Sequence, residues 1–116
     1  MCGFERRESP LFVKSRDFCV WLFRHSAKFP RIYRHTLTER LECKTLDFHR
    51  YIGRASVLKE ESGLAEADFA LWEIRQLLRI ANELGCFPPR LLEYSTAAIN
   101  ELGRLLGAWI RRGTGA

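Results

Sequence analysis

The sequence predicts an all-α chain, an up-down-up-down antiparallel four-helix bundle. Three observations carry that expectation. Apolar residues recur at three- and four-residue steps in four separate segments. Short stretches holding Pro30, Gly63, Gly85 and Pro88-Pro89 divide those segments. Nothing alternates at the two-residue period of a strand. At 116 residues the chain has the length of one domain and can bury roughly two thirds of its unfolded surface. Residues 1–116 therefore read as a single unit with a flexible 1–9 and a flexible 113–116 tail. Short corners make consecutive helices antiparallel neighbours.

Helix 1 opens at Ser9-Pro10, an N-cap followed by proline at the first helical position. It should run to about Lys28, because Pro30 disfavours helix at Phe29. Its core stripe is Leu11, Ser15, Phe18, Leu22 and Phe29, flanked by Phe12, Cys19 and Phe23. Thr36 to Glu39 reads as a capping box that starts helix 2 and leaves 29–35 as a corner. Helix 2 offers Leu37, Leu41, Phe48, Ile52 and Ala55, and should end near Lys59 with Gly63 as the breaker. Helix 3, from about Glu66 to Leu84, offers Ala67, Ala70, Leu71, Ile74, Leu77, Leu78, Ala81 and Leu84, and Gly85 stops it. Pro88-Pro89 opens helix 4, which should reach about Arg112. Its Leu92, Ser95, Ile99, Leu102, Leu106 and Trp109 are spaced like a heptad seam.

Some residues fall outside these stripes. Phe69, Trp72 and Ile80 project roughly 140° to 220° from Ala67 on helix 3. A second apolar stripe on one helix reads as a subunit contact or as a wider core. Gly103 and Gly107 stand one turn apart on helix 4, where each costs about 0.8–1 kcal/mol relative to Ala. Their presence predicts close approach by another helix or another subunit.

Charge is unevenly placed. The chain carries a formal +5, yet residues 1–60 hold thirteen Lys/Arg against seven Asp/Glu and the remainder six against seven. Such asymmetry points to an anionic partner. The corner is the densest part: Lys28, Arg31, Arg34, His35 and Arg40 face one acid, Glu39. With Arg75, Arg79 and Arg104 from the later helices, Lys28, Arg31, Arg34 and Arg40 are the candidates for phosphate contact. Arg79 and Arg104 have a rival assignment as ion pairs with Glu83 and Glu101. Helix 1 also interleaves Lys14, Trp21, His25 and Lys28, and helix 2 has Arg40, Tyr51 and Arg54 beside Asp47. Cations with flat rings suit single-stranded nucleic acid; they equally suit a solvated flank with aromatics under long side-chain stems.

Other chemistry finds little footing. Cys2, Cys19, Cys43 and Cys86 form no C-x-x-C pair or zinc spacing, which fits a reduced, cytoplasmic chain. Glu39, Cys43 and Asp47 share a helix face but read as capping, packing and ion-pairing groups, not metal ligands. No nucleophile motif or glycine-rich phosphate loop accompanies His25, His35 and His49, so no enzyme and no cofactor is expected. The opening "MCGFERRESP" lacks a signal-peptide core, and "FCVWLF", the longest apolar run, is far short of a membrane span.

The segments "KFPRIYRHTL", "IRQLLRIANELG" and "INELGRLLGAWIRR" resemble the accessory variability determinant (Avd) proteins of diversity-generating retroelements, over roughly residues 10–112. Glu101, Gly103, Arg104, Gly107 and Trp109 carry the strongest part. The resemblance implies a four-helix bundle assembled into a basic, barrel-shaped pentameric ring without catalytic activity. It also implies two partners, the element's reverse transcriptase and nucleic acid, RNA or DNA. A sister family, the four-helix-bundle proteins encoded in ribosomal RNA intervening sequences, shares the Phe-Pro corner. Its Ile-Pro-Ala-Asn-type segment early in helix 2 has no counterpart in "ECKTLDFHRYIGRA". A protein-only oligomeric scaffold is the further alternative.

Overall fold

The computed structural model describes residues 9–60 and 62–115. It has four α-helices: α1 (Pro10–Ser26), α2 (Glu39–Leu58), α3 (Ser62–Glu83) and α4 (Pro89–Gly115). No strand occurs among the described residues. Apart from Ser9, the expected flexible N-terminus lies outside the described residues.

Contacts across the helix seams run in opposite directions. From α1 to α2 they pair Ser26 with Glu42, Cys19 with the Thr45 carbonyl, Ser15 with His49, and Phe12 with Gly53. Lys44 meets Glu73 across α2 and α3, while Tyr51 meets Gly63. Arg75 meets Asn100 across α3 and α4, and Trp21 meets Tyr94 across α1 and α4. Each helix is thus antiparallel to both of its neighbours, and the bundle is up-down-up-down.

The stripes expected from periodicity form the core. Leu41, Ile52, Ala67, Ile74, Ala81 and Leu106 are completely shielded from solvent, and Phe18, Leu22, Phe48, Ile99 and Leu102 nearly so. Alanines at 67, 70 and 81 keep α3 narrow, which lets α2 pack closely against it. Two expected core residues lie at the rim instead: Phe23 is exposed, and so is Leu84, which lies just past the end of α3.

Helix ends show where local signals were outcompeted. Ser9 Oγ accepts the Phe12 amide at 3.1 Å and Pro10 takes the first helical position, as expected. The Thr36 to Glu39 capping box does not form. Pro30 instead starts a 3₁₀ turn (Arg31–Tyr33), with the Tyr33 amide donating to the Pro30 carbonyl at 3.0 Å. A π-helical turn (Arg34–Thr38) then feeds directly into α2. Thr38 is already helical, so the amides a capping box would satisfy have backbone partners. The Thr36 hydroxyl lies 3.4 Å from the Tyr33 carbonyl, its acceptor.

Gly63 does not break helix 2 either. Lys59 ends α2 by entering the left-handed region at φ 61°, and α3 begins at Ser62, four residues earlier than expected. Gly63 is buried in the first turn of α3, where a Cβ would lie 3.3 Å from the Tyr51 carbonyl. Gly85 behaves as expected. At φ 75° it closes a Schellman motif, with Cys86 N–H donating to the Ala81 carbonyl and Gly85 N–H to that of Asn82. α4 continues to Gly115, beyond the expected end.

Two outcomes follow from this packing. Lys59 holds a conformation that costs a side-chain-bearing residue about 1 kcal/mol or more. Lys59→Gly should therefore raise stability by about 0.5–1 kcal/mol after glycine's own entropy is counted, read as an upward shift in thermal or urea midpoint. Burial also pushes the Cys19 thiol up to about 11, whereas Cys43 is exposed. In a Cys2→Ser background at pH 9, a thiol reagent should modify Cys43 in the native protein and reach Cys19 only on unfolding. Rapid native labelling of Cys19, located by mass spectrometry, would contradict this.

Candidate nucleic-acid interface

The antiparallel topology brings the corner after α1 and the turn between α3 and α4 to the same end of the bundle. Phe29 is buried there and stacks on Phe87, with ring centroids 5.5 Å apart. Around this apolar plug stand Lys28, Arg31, Arg34 and Arg40, all exposed. Arg90, in the first turn of α4, and Arg79, near the end of α3, belong to the same end. Among the described residues, none of these six cations has a carboxylate within ion-pair distance. His35 does face Glu39, at 3.8 Å. Glu42, partly buried, accepts a hydrogen bond from buried Ser26. Tight apolar packing thus supports a surface whose cations make no ion pair among the described residues.

Arg75 is held more firmly. Its Nη1 donates to Asn100 Oδ1 at 2.8 Å. Its Nη2 would lie 3.3 Å from a Cβ at position 103. Gly103 therefore lets this guanidinium lie across α4, and the close approach comes from within the chain. An amide partner leaves the arginine's charge uncompensated. Arg75 and Arg79 line a groove of about 290 Å³ between α3 and α4, together with Asn82, Glu83 and Thr96. The Arg79 to Glu83 ion pair that sequence allowed is not made.

Arg104 stands apart. It lies fourteen residues beyond Arg90, about 21 Å along the helix axis. It donates to Glu101 at 2.7 Å on the surface of α4. Hydrogen bonding from Arg104, with the charges of Arg104 and Lys14, holds the Glu101 carboxyl below its ordinary value. The intrahelical pair is thus the observed state of Arg104. At Gly107 a Cβ would meet only Arg111, from the same helix, at 3.5 Å.

The second stripe on α3 is at the surface. Phe69, Trp72 and Ile80 are 59%, 53% and 49% exposed, which excludes the wider-core reading for this chain alone. Phe69 and Trp72 stack with centroids 5.5 Å apart. Phe69 also borders a shallow groove over the Lys44 to Glu73 ion pair.

Two contributors escaped the sequence reading. Arg90 follows the Pro-Pro pair, and antiparallel topology alone would have set it beside the corner. Asn100, one turn before Gly103, could have been found as the partner for an arginine crossing the glycine. Among the described residues, no three His, Cys, Asp or Glu side chains gather as a metal site. None of the described helices is long and apolar enough to cross a membrane.

No curated protein matches the chain. A family model described as bAvd-like matches residues 11–113, from the first buried leucine of α1 into the last turn of α4. That span takes in nearly all of the four helices, the cationic corner, and the crossing of Arg75 over Gly103. The chain belongs to the bAvd-like family.

Proposed function

We propose that the protein is a non-catalytic, cytoplasmic accessory factor of a diversity-generating retroelement. It binds the element's reverse transcriptase and its template RNA or complementary DNA, and so supports mutagenic retrohoming. The observation that carries this reading is the cluster of unneutralised cations at one end of the bundle, in a chain of this family. Charge of this kind attracts phosphates through counterion release, without regard to sequence. Arg75 and Arg79 extend the same field along the α3–α4 groove.

The exposed Phe69, Trp72 and Ile80 face supports assembly into a closed homo-oligomer, a pentamer by family resemblance, with Gly107 as a further close-approach point. Repetition around a ring turns weak contacts into strong ones when one strand touches several subunits. No cofactor is required.

Replacing Lys28, Arg31 and Arg34 together by alanine should leave melting nearly unchanged, since exposed charges contribute only about 0–1 kcal/mol. The variant should bind single-stranded RNA more weakly, with a log–log salt slope flatter by about one unit for each lost phosphate contact. It should also capture less reverse transcriptase in a pull-down. Unchanged affinity and capture would leave an oligomeric scaffold that binds only protein.

Trp72→Glu tests the assembly. Because Trp72 is half exposed in the single chain, the charge leaves the bundle folded, but it is costly once buried without a partner between subunits. Light scattering should report an oligomer for the parent and a folded monomer for the variant. A monomeric parent would overturn the ring.

A further inference from the structure

The α1–α4 seam carries an aromatic cluster that phosphate binding does not use. The Trp21 ring lies 4.5 Å from His25, 4.9 Å from Tyr94 and 5.8 Å from Phe18, centroid to centroid. Phe18 is core and Trp21 is half-buried, whereas Tyr94 is 53% exposed. The cluster therefore grades from a fixed interior ring to an open one. Ala97 and Ala98 follow Tyr94 on its own helix and add little bulk beside its ring. His25 is fixed as well. A carbonyl only accepts, so its Nδ1 must carry the proton donated to the Trp21 carbonyl at 2.8 Å.

Cations frame this open ring. Arg90 lies one turn before Tyr94 on α4, and Arg24 and Lys28 lie three and seven residues after Trp21. Among the described residues none of the three is ion-paired. Asp17 and Glu93 are the nearby acids on the two helices. Lys14, on the same side of α1, acts on Glu101. Phosphate-binding charge beside an open aromatic face is the pairing that holds single strands, because every base has a flat face whatever its identity.

We propose that Tyr94, backed by Trp21 and His25, stacks an unpaired nucleobase of a single strand whose phosphates lie against Arg24, Lys28 and Arg90. This inference rests on the nucleic-acid contact proposed above and narrows it to single-stranded segments. Duplexes keep their bases stacked inside and offer only their phosphates.

The test compares an oligothymidylate with a fully abasic strand of the same length, titrated at several salt concentrations. The parent protein should prefer the oligothymidylate by roughly fivefold or more, the lower range of base–aromatic stacking. Tyr94→Ala should lose that preference while keeping the parent's melting temperature and salt slope, and Tyr94→Phe should retain it. Equal binding of both strands by the parent, or an undiminished preference in Tyr94→Ala, overturns the base contact and leaves the phosphate reading intact. If the parent binds neither strand in a salt-dependent way, the phosphate reading falls and takes this one with it.

Discussion

The placement of the charged groups on the four helices depends on the packing of α2 between α1 and α3. Its stripe of Leu41, Phe48, Ile52 and Ala55 is sealed on all sides. Polar contacts to α1 then fix the axial position. Ser15 donates its single hydroxyl proton to the Phe12 carbonyl at 2.9 Å, so the His49 Nδ1 beside it is the donor to Ser15 Oγ. Ser26 donates to Glu42 at the other end of the seam. A slip of one turn would part Ser15 from His49 and Ser26 from Glu42. Buried polar atoms without partners cost more than their bonds contribute when made. Apolar burial supplies the association of the helices, and these few hydrogen bonds select one register.

That division lets the surface be electrostatically one-sided. Like charges at the corner repel each other, and among the described residues no ion pair to Lys28, Arg31, Arg34 or Arg40 relieves them. The repulsion is modest because the groups are solvated and screened. Stability comes instead from the core and from the Phe29–Phe87 stack, which joins two turns far apart in sequence. The site and the fold are therefore largely separable. By contrast, Arg75 belongs to both, since its position requires Asn100 and the missing side chain at 103.

Periodicity made the bundle legible. Leu11, Ser15, Phe18 and Leu22 on α1, and the corresponding stripe on α2, could be read directly, because a 3.6-residue repeat is what burying one helix face demands. Buried Thr38 and Thr45 were missed because hydroxyls carry no apolar signal, although Thr45 returns its proton to the Leu41 carbonyl. The capping box and the Gly63 breaker were misread for one reason: local motifs state what a backbone could do alone, and packing decided otherwise. At the site, the corner's charge was visible as composition. The gathering of Arg79 and Arg90 at that end, and the withdrawal of Arg104 by Glu101, depend on which helices meet.

The π-helical turn at Arg34–Thr38 carries a consequence for inheritance. Such a turn accommodates one residue more than an α-helix would over the same rise, and commonly marks an insertion. Removing one residue there would leave the buried stripe of α2 in place. It would rotate the preceding segment by about 100° around the helix axis. Arg31 and Ile32, now outside, would be swung toward different neighbours. The direction in which this end presents its charge is thus set by backbone winding, and the same winding carries Leu37 and Phe29 into the core, so a single codon gained or lost there would re-aim the charge and disturb the apolar plug together.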